Sequence, residues 1–119
     1  MKIAGLMSGT SLDGLSIALI SVERPESLST SELKRLVRKA EFLDGETYAF
    51  PKSLREDLSI ITSVESKTST AFLAAAHSKF GKFGAGCLTR FVQSNSAPDL
   101  IGFHGQTVYH APGTLTVTF

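Results

Sequence analysis

Tryptophan is missing from the 119 residues, cysteine occurs once, and neither sign of charge prevails, twelve Lys and Arg standing against eleven Asp and Glu. A single cysteine, Cys87, cannot close an internal disulfide. The chain is therefore expected in a reducing compartment, with Cys87 as a buried structural thiol on an apolar helix face. Balanced charge supplies no general attraction to nucleic acid or to an anionic membrane. Long apolar runs are lacking as well. The first, Ile3-Ala4-Gly5-Leu6-Met7, breaks after five residues at Ser8 and Gly9, too short for a signal-peptide core or a membrane span. The expected location is the cytoplasm. No GxxxxGK[ST] sequence occurs, which excludes a phosphate loop of the Walker type. What is present, 42% hydrophobic residues including eight Phe, suffices for the core of one modest globular domain.

The N-terminus carries the strongest signal. Residues 3–7 and 15–22 are rich in apolar side chains and uncharged, which suits two buried strands. Between them stands Ser8-Gly9-Thr10-Ser11-Leu12-Asp13-Gly14, where Leu12 is the only apolar side chain. So short a connection predicts a hairpin, with Gly9 and Gly14 at positions that need positive φ. Such a loop offers backbone N–H groups and the hydroxyls of Ser8, Thr10 and Ser11 to phosphate oxygens. Asp13 can hold a magnesium ion directly or through water. The same residues also suit a polar turn whose Ser and Asp cap their own backbone.

Residues 23–31, with Pro25 and four Ser or Thr, read as a surface loop. Residues 36–43 alternate imperfectly, with Leu36, Ala40 and Phe42 against Lys39 and Glu41, and predict a third strand that Asp44-Gly45 ends or bends. Pro51 reads as a first helical residue, followed by Leu54, Leu58 and Ile61 at helical spacing. Thr62-Ser63-Val64-Glu65 has the form of a capping box, ahead of a long helix striped by Phe72, Ala76, Phe80, Phe83, Cys87 and Phe91. Gly81, Gly84 and Gly86 within it imply a kink or a close approach to the sheet. Beyond residues 94–98, Asp99-Leu100-Ile101-Gly102-Phe103 forms a strand leading into His104-Gly105-Gln106-Thr107. Polar residues at a strand's carboxyl end are where open α/β sheets place ligands. The order of elements predicts an α/β fold: an antiparallel β-meander, crossover helices, then a strand parallel to the first. The alternating run at residues 115–119 has no closing element, and an incomplete domain is expected.

Two motifs together resemble the anhydro-N-acetylmuramic acid kinase family in order and spacing. They are Gly5-Leu6-Met7-Ser8-Gly9-Thr10-Ser11-Leu12-Asp13-Gly14 and Ile101-Gly102-Phe103-His104-Gly105-Gln106-Thr107-Val108. Weaker similarity runs through Thr47-Tyr48-Ala49-Phe50-Pro51 and the Phe80-Gly81 step, so the resemblance covers the whole chain as the N-terminal portion of a family member. It implies a ribonuclease-H-like domain of the actin-like, sugar-kinase ATPase fold, with residues 1–119 as a partial ATP-binding domain of a two-domain kinase. It also implies the reaction: cleavage of the anhydro bridge of 1,6-anhydro-N-acetylmuramic acid coupled to phosphorylation of O6 by ATP with Mg2+, a step of peptidoglycan recycling. A homodimer is implied for the complete protein.

On that resemblance Gly9, Thr10, Ser11, Leu12, Asp13, Gly14, Leu15 and Ser16 line the ATP phosphates, with Asp13 as the magnesium position. Ser16 departs from the family, which usually carries an acidic residue there. His104, Gln106 and Thr107 would face the sugar. His77 and His110 read as structural, and His104 and His110, six residues apart in a loop, make no recognised metal site. The family's catalytic base, an aspartate that activates water against the anomeric carbon, is expected beyond Phe119. Asp13 and Asp99 are no substitutes, so the chain alone is expected to be inactive. Two alternatives stay open: a kinase for another anhydrosugar such as levoglucosan, and a nucleotide-binding module without catalysis.

Overall fold

The computed structural model describes residues 1–23, 29–63, 67–111, 113 and 115–119. The two apolar runs form an antiparallel hairpin of β1 (Lys2–Ser8) and β2 (Gly14–Ser21), in register from Lys2↔Ser21 to Ser8↔Leu15. Alternation divides each strand between two faces. Ala4, Leu6 and Ser8 with Leu15, Ile17 and Leu19 are buried, whereas Gly5, Met7, Ser16 and Ala18 are exposed. Only one face of these strands is therefore covered.

The third strand differs from its expected place. Residues through Arg38 form a helix, α1 (Thr30–Arg38), and β3 (Glu41–Ala49) follows it. Glu, Leu, Lys and Arg are strong helix formers, and Leu33, Leu36 and Val37 recur at helical spacing, so local propensity overrides the alternation. The helix starts with a bond from Leu33 N–H to Ser29 O at 3.0 Å, and Arg35 pairs with Glu23 at 2.9 Å. Residues 24–28 of the expected loop lie outside the described residues. Asp44-Gly45 does not end β3, which runs antiparallel along β2 to Ala49. The irregularity falls at Leu43, between the pairs Leu19↔Asp44 and Ile20↔Phe42.

Two helices cover the buried face. In α2 (Lys52–Thr62) Leu54, Leu58 and Ile61 are buried, as their spacing predicts, with Pro51 as the preceding cap residue and not the first helical one. In α3 (Thr70–Ser94) the buried stripe is Ala76, Phe80, Gly84, Cys87 and Phe91, with Phe72 and Phe83 half-buried. The helix is opened by Ser69, whose hydroxyl accepts from Phe72 N–H at 3.2 Å, and not by the expected capping box. Thr62 and Ser63 instead end α2, their hydroxyls donating to the carbonyls of Leu58 and Ile60 at 3.0 Å. Val64 and Glu65 lie outside the described residues. α3 is continuous through its three glycines, of which Gly84 makes the close approach while Gly81 and Gly86 face open space. An ion pair of Lys79 with Asp57 at 2.6 Å joins the two helices.

The return strand β4 (Leu100–Ala111) runs parallel to β1 from Ile3↔Leu100, and β5 (Leu115–Thr118) pairs antiparallel with β4. The sheet order is β3-β2-β1-β4-β5, a mixed α/β arrangement with the expected meander and parallel return. Asp99 starts β4 against β1, its carboxylate accepting from Lys2 N–H at 2.7 Å. Leu6, Leu15, Ile17, Leu54, Leu58, Phe80 and Phe91 fill the core between sheet and helices. Among the described residues no helix is long and apolar enough to cross a membrane.

Candidate functional site

Because β1 and β4 are parallel, the hairpin loop at residues 9–13 and the polar end of β4 lie at the same end of the sheet. Leu12 anchors the loop. It takes the left-handed conformation, φ 56°, and its side chain enters the core. That conformation costs a non-glycine residue about 1–2 kcal/mol, which burial of a leucine side chain offsets. The expected positive φ at Gly9 and Gly14 does not occur. Gly14 is needed for another reason, since a Cβ there would overlap the carbonyl oxygen of Tyr48 on β3. Phe50 N–H donates to Asp13 O at 3.2 Å, tying the loop's far end to the chain beyond β3.

What the anchored loop presents is polar. Thr10, Ser11 and Asp13 are exposed, and the N–H groups and hydroxyls of Thr10 and Ser11 and the carboxylate of Asp13 have no protein partner among the described residues. Ser8 behaves differently: it is buried, and its hydroxyl donates to Gln106 Oε1 at 2.5 Å, with Gly14 O at 3.1 Å. Leu12 and Leu15 keep their side chains in the core and can meet a ligand through backbone alone. Ser16 sits on the uncovered face of the sheet, its hydroxyl 2.9 Å from that of Thr47.

On β4 the three residues expected to face a sugar are placed unequally. Pairing with β1 shifts between Leu6↔Phe103 and Ser8↔Gln106, so His104 and Gly105 together oppose Met7, and Gly105 takes φ 82°. Gln106 is fully buried, its Nε2 donating to Gly9 O at 3.2 Å and to Thr107 O at 3.0 Å. His104 is exposed, with Nδ1 3.4 Å from Gly105 O, and Thr107 is half-buried beside Thr118 of β5. The structure thus brings Gln106 to the loop and leaves His104 at the surface. The pairing of Ser8 with Gln106 escaped sequence reasoning, although both are polar residues in largely apolar strands.

His77 meets the Phe119 ring edge-on at 5.4 Å, and the side chain of His110 lies outside the described residues. Cys87 is buried as expected. Burial pushes its thiol up, and Arg90, 3.9 Å from the sulfur, pulls the other way. No group of three His, Cys, Asp or Glu suited to a metal occurs among the described residues.

All of residues 1–119 match the family described as anhydro-N-acetylmuramic acid kinase. The chain belongs to that family. Proteins named anhydro-N-acetylmuramic acid kinase from a Picosynechococcus and a Synechocystis species are 32% and 34% identical to it over 112 residues, 94% of this chain. One of the same name from Bacillus cereus is 32% identical over 116 residues. The chain spans only 26–28% of the length of these relatives.

Proposed function

We propose that this family member supplies the nucleotide-phosphate side of an ATP-dependent kinase for 1,6-anhydro-N-acetylmuramic acid. The observation that carries the reading is the loop of residues 9–13, a turn anchored by Leu12 that presents N–H groups, two hydroxyls and one carboxylate without a protein partner among the described residues. Thr10 and Ser11 would receive phosphate oxygens through backbone and hydroxyl, with the close approach at Gly14 setting how near β3 stands. The Asp13 carboxylate, exposed and unpartnered, fits a magnesium ion bound through one carboxylate, water and phosphates. Such an ion neutralises charge on the phosphates.

The proposed reaction adds water to the anomeric carbon and breaks its bond to O6. O6 takes the γ-phosphoryl group, ADP leaves, and the water's proton passes to a base. That base is the family aspartate, outside residues 1–119. On the sugar side His104 and Thr107 would hydrogen-bond ring substituents. The antiparallel meander with its parallel return is compatible with the ribonuclease-H-like domain of the actin-like fold, and a cytoplasmic enzyme, dimeric when complete, belongs to the same reading. Titration with MgATP, followed by amide chemical shifts, tests it: Gly9, Thr10, Ser11 and Asp13 should shift first, and Asp13→Asn should remove the magnesium-dependent part. Shifts confined to other parts of the chain would overturn the assignment.

A further inference from the structure

We propose that Gln106 is a positioning residue that holds the loop of residues 9–13 in its phosphate-receiving shape, so that β4 governs nucleotide affinity from behind the loop. The nucleotide half rests on the function proposed above; the structural half does not. A carboxamide has one acceptor oxygen and two N–H donors. Here the oxygen accepts from Ser8, the last residue of β1, and the nitrogen donates to the carbonyls of Gly9 and Thr107. Both of its N–H donors are committed, and full burial closes its oxygen to a sugar hydroxyl. The side chain ties the entry of one turn, Ser8 before it and Gly9 at its start, to a strand almost a hundred residues away, at a sequence separation of 98 and 97.

The backbone is built to aim it. Phe103 shares the helix-covered face with Leu6, and regular alternation would turn Gln106 to the opposite face. The extra residue at His104-Gly105 restores it to the face of Ser8, with Gly105 at φ 82° in the left-handed region that glycine enters without steric cost. Gly105 therefore acts through Gln106. Removing the carboxamide leaves the Ser8 hydroxyl with Gly14 O at 3.1 Å and the Gly9 carbonyl with the Leu12 N–H at 3.4 Å, so both lose the stronger partner that ties them to β4.

A glutamate at this position separates positioning from mere filling of space. It keeps the length and the acceptor, but as a carboxylate it faces the Gly9 and Thr107 carbonyls without a donor. Burial favours its neutral acid, which again has one donor and one acceptor. The acid form predominates below its raised pKa, so function should return as pH falls and vanish as pH rises through that value.

The test uses the full chain as wild type, Gln106→Ala and Gln106→Glu, reading heteronuclear NOEs of the amides of Gly9, Thr10, Ser11 and Leu12 together with MgATP affinity from about pH 8 to about pH 5.5. Gln106→Ala should loosen those amides and weaken MgATP roughly tenfold. Gln106→Glu should match it at high pH and recover toward wild type at low pH. Loop amides as ordered in Gln106→Ala as in wild type would overturn the inference. If the alanine variant fails to fold, a flat pH profile for Gln106→Glu overturns it. A wild type that binds no MgATP defeats the proposed function alone, and the clamp is then judged on the loop amides.

Discussion

The ring of Phe103 on β4 lies 3.1 Å from where a Cβ of Gly84 on α3 would stand, so helix and strand meet there closely enough that a methyl group would need the ring to give by a few tenths of an ångström. The same ring stacks on Phe80 at 5.5 Å, and Phe80 in turn meets Phe50 edge-on at 6.1 Å. This aromatic row sets the height of α3 above the sheet. It also fixes β4 just before the bulge that aims Gln106 at the loop of residues 9–13.

The three helical glycines should therefore respond differently to alanine. Gly81→Ala and Gly86→Ala add a methyl group in open space and should raise unfolding free energy by about 1 kcal/mol each, the helix-propensity gain. Gly84→Ala should show no gain, because the contact with Phe103 consumes it. Urea unfolding of the three variants checks the order; an equal gain at all three would remove Gly84 as the close approach.

Gly105→Ala should be the most damaging glycine change of β4. A Cβ there would overlap the carbonyl oxygen of Phe119, and φ 82° disfavours any side chain. A loss well above 1 kcal/mol is expected, accompanied by loosening of the residue 9–12 amides. Thermal unfolding together with amide exchange measures both.

Tyr48 predicts a pH dependence. Burial, then the hydrogen bond to Glu46 at 2.6 Å, push its phenol up to about 12, while Arg90, stacked 5.2 Å from the ring centroid, opposes the shift. With the folded value above the unfolded one near 10, only the unfolded chain ionises between them, so stability falls as pH rises through that window. Tyr48→Phe should flatten the decline in urea midpoint between about pH 10 and 12. An unchanged slope would show that Tyr48 does not carry it.

For the proposed kinase reaction, Asp13→Asn should lower kcat/KM at least about tenfold, corresponding to about 1.4 kcal/mol of transition-state stabilisation, with the fold intact. His104→Ala should raise KM for the anhydro sugar and spare MgATP affinity. If both substitutions weakened MgATP alike, His104 would belong on the nucleotide side.

Much of the molecule was legible in residue order alone. Uncharged runs around Ser8-Gly9-Thr10-Ser11-Leu12-Asp13-Gly14 specify the hairpin, and the spacing of Leu54, Leu58 and Ile61 and of Ala76, Phe80, Cys87 and Phe91 specifies two buried helix faces, because periodicity is a local property that burial must obey. The family signature lies in the same short motifs. Residues 36–40 fall in a helix and its exit and not in the expected strand, because helix propensity and two-residue alternation coexist there, and only pairing with β2 starts the strand at Glu41. Tertiary structure alone decided that Leu12 and not a glycine takes the left-handed turn, and that Gly14 answers to the Tyr48 carbonyl. It also decided that Gln106, one of three polar residues expected to act alike, is turned inward to Ser8 while His104 stays outside. Each of these depends on an approach between segments distant in the chain, and spacing along a sequence carries no record of which backbone will stand across from it.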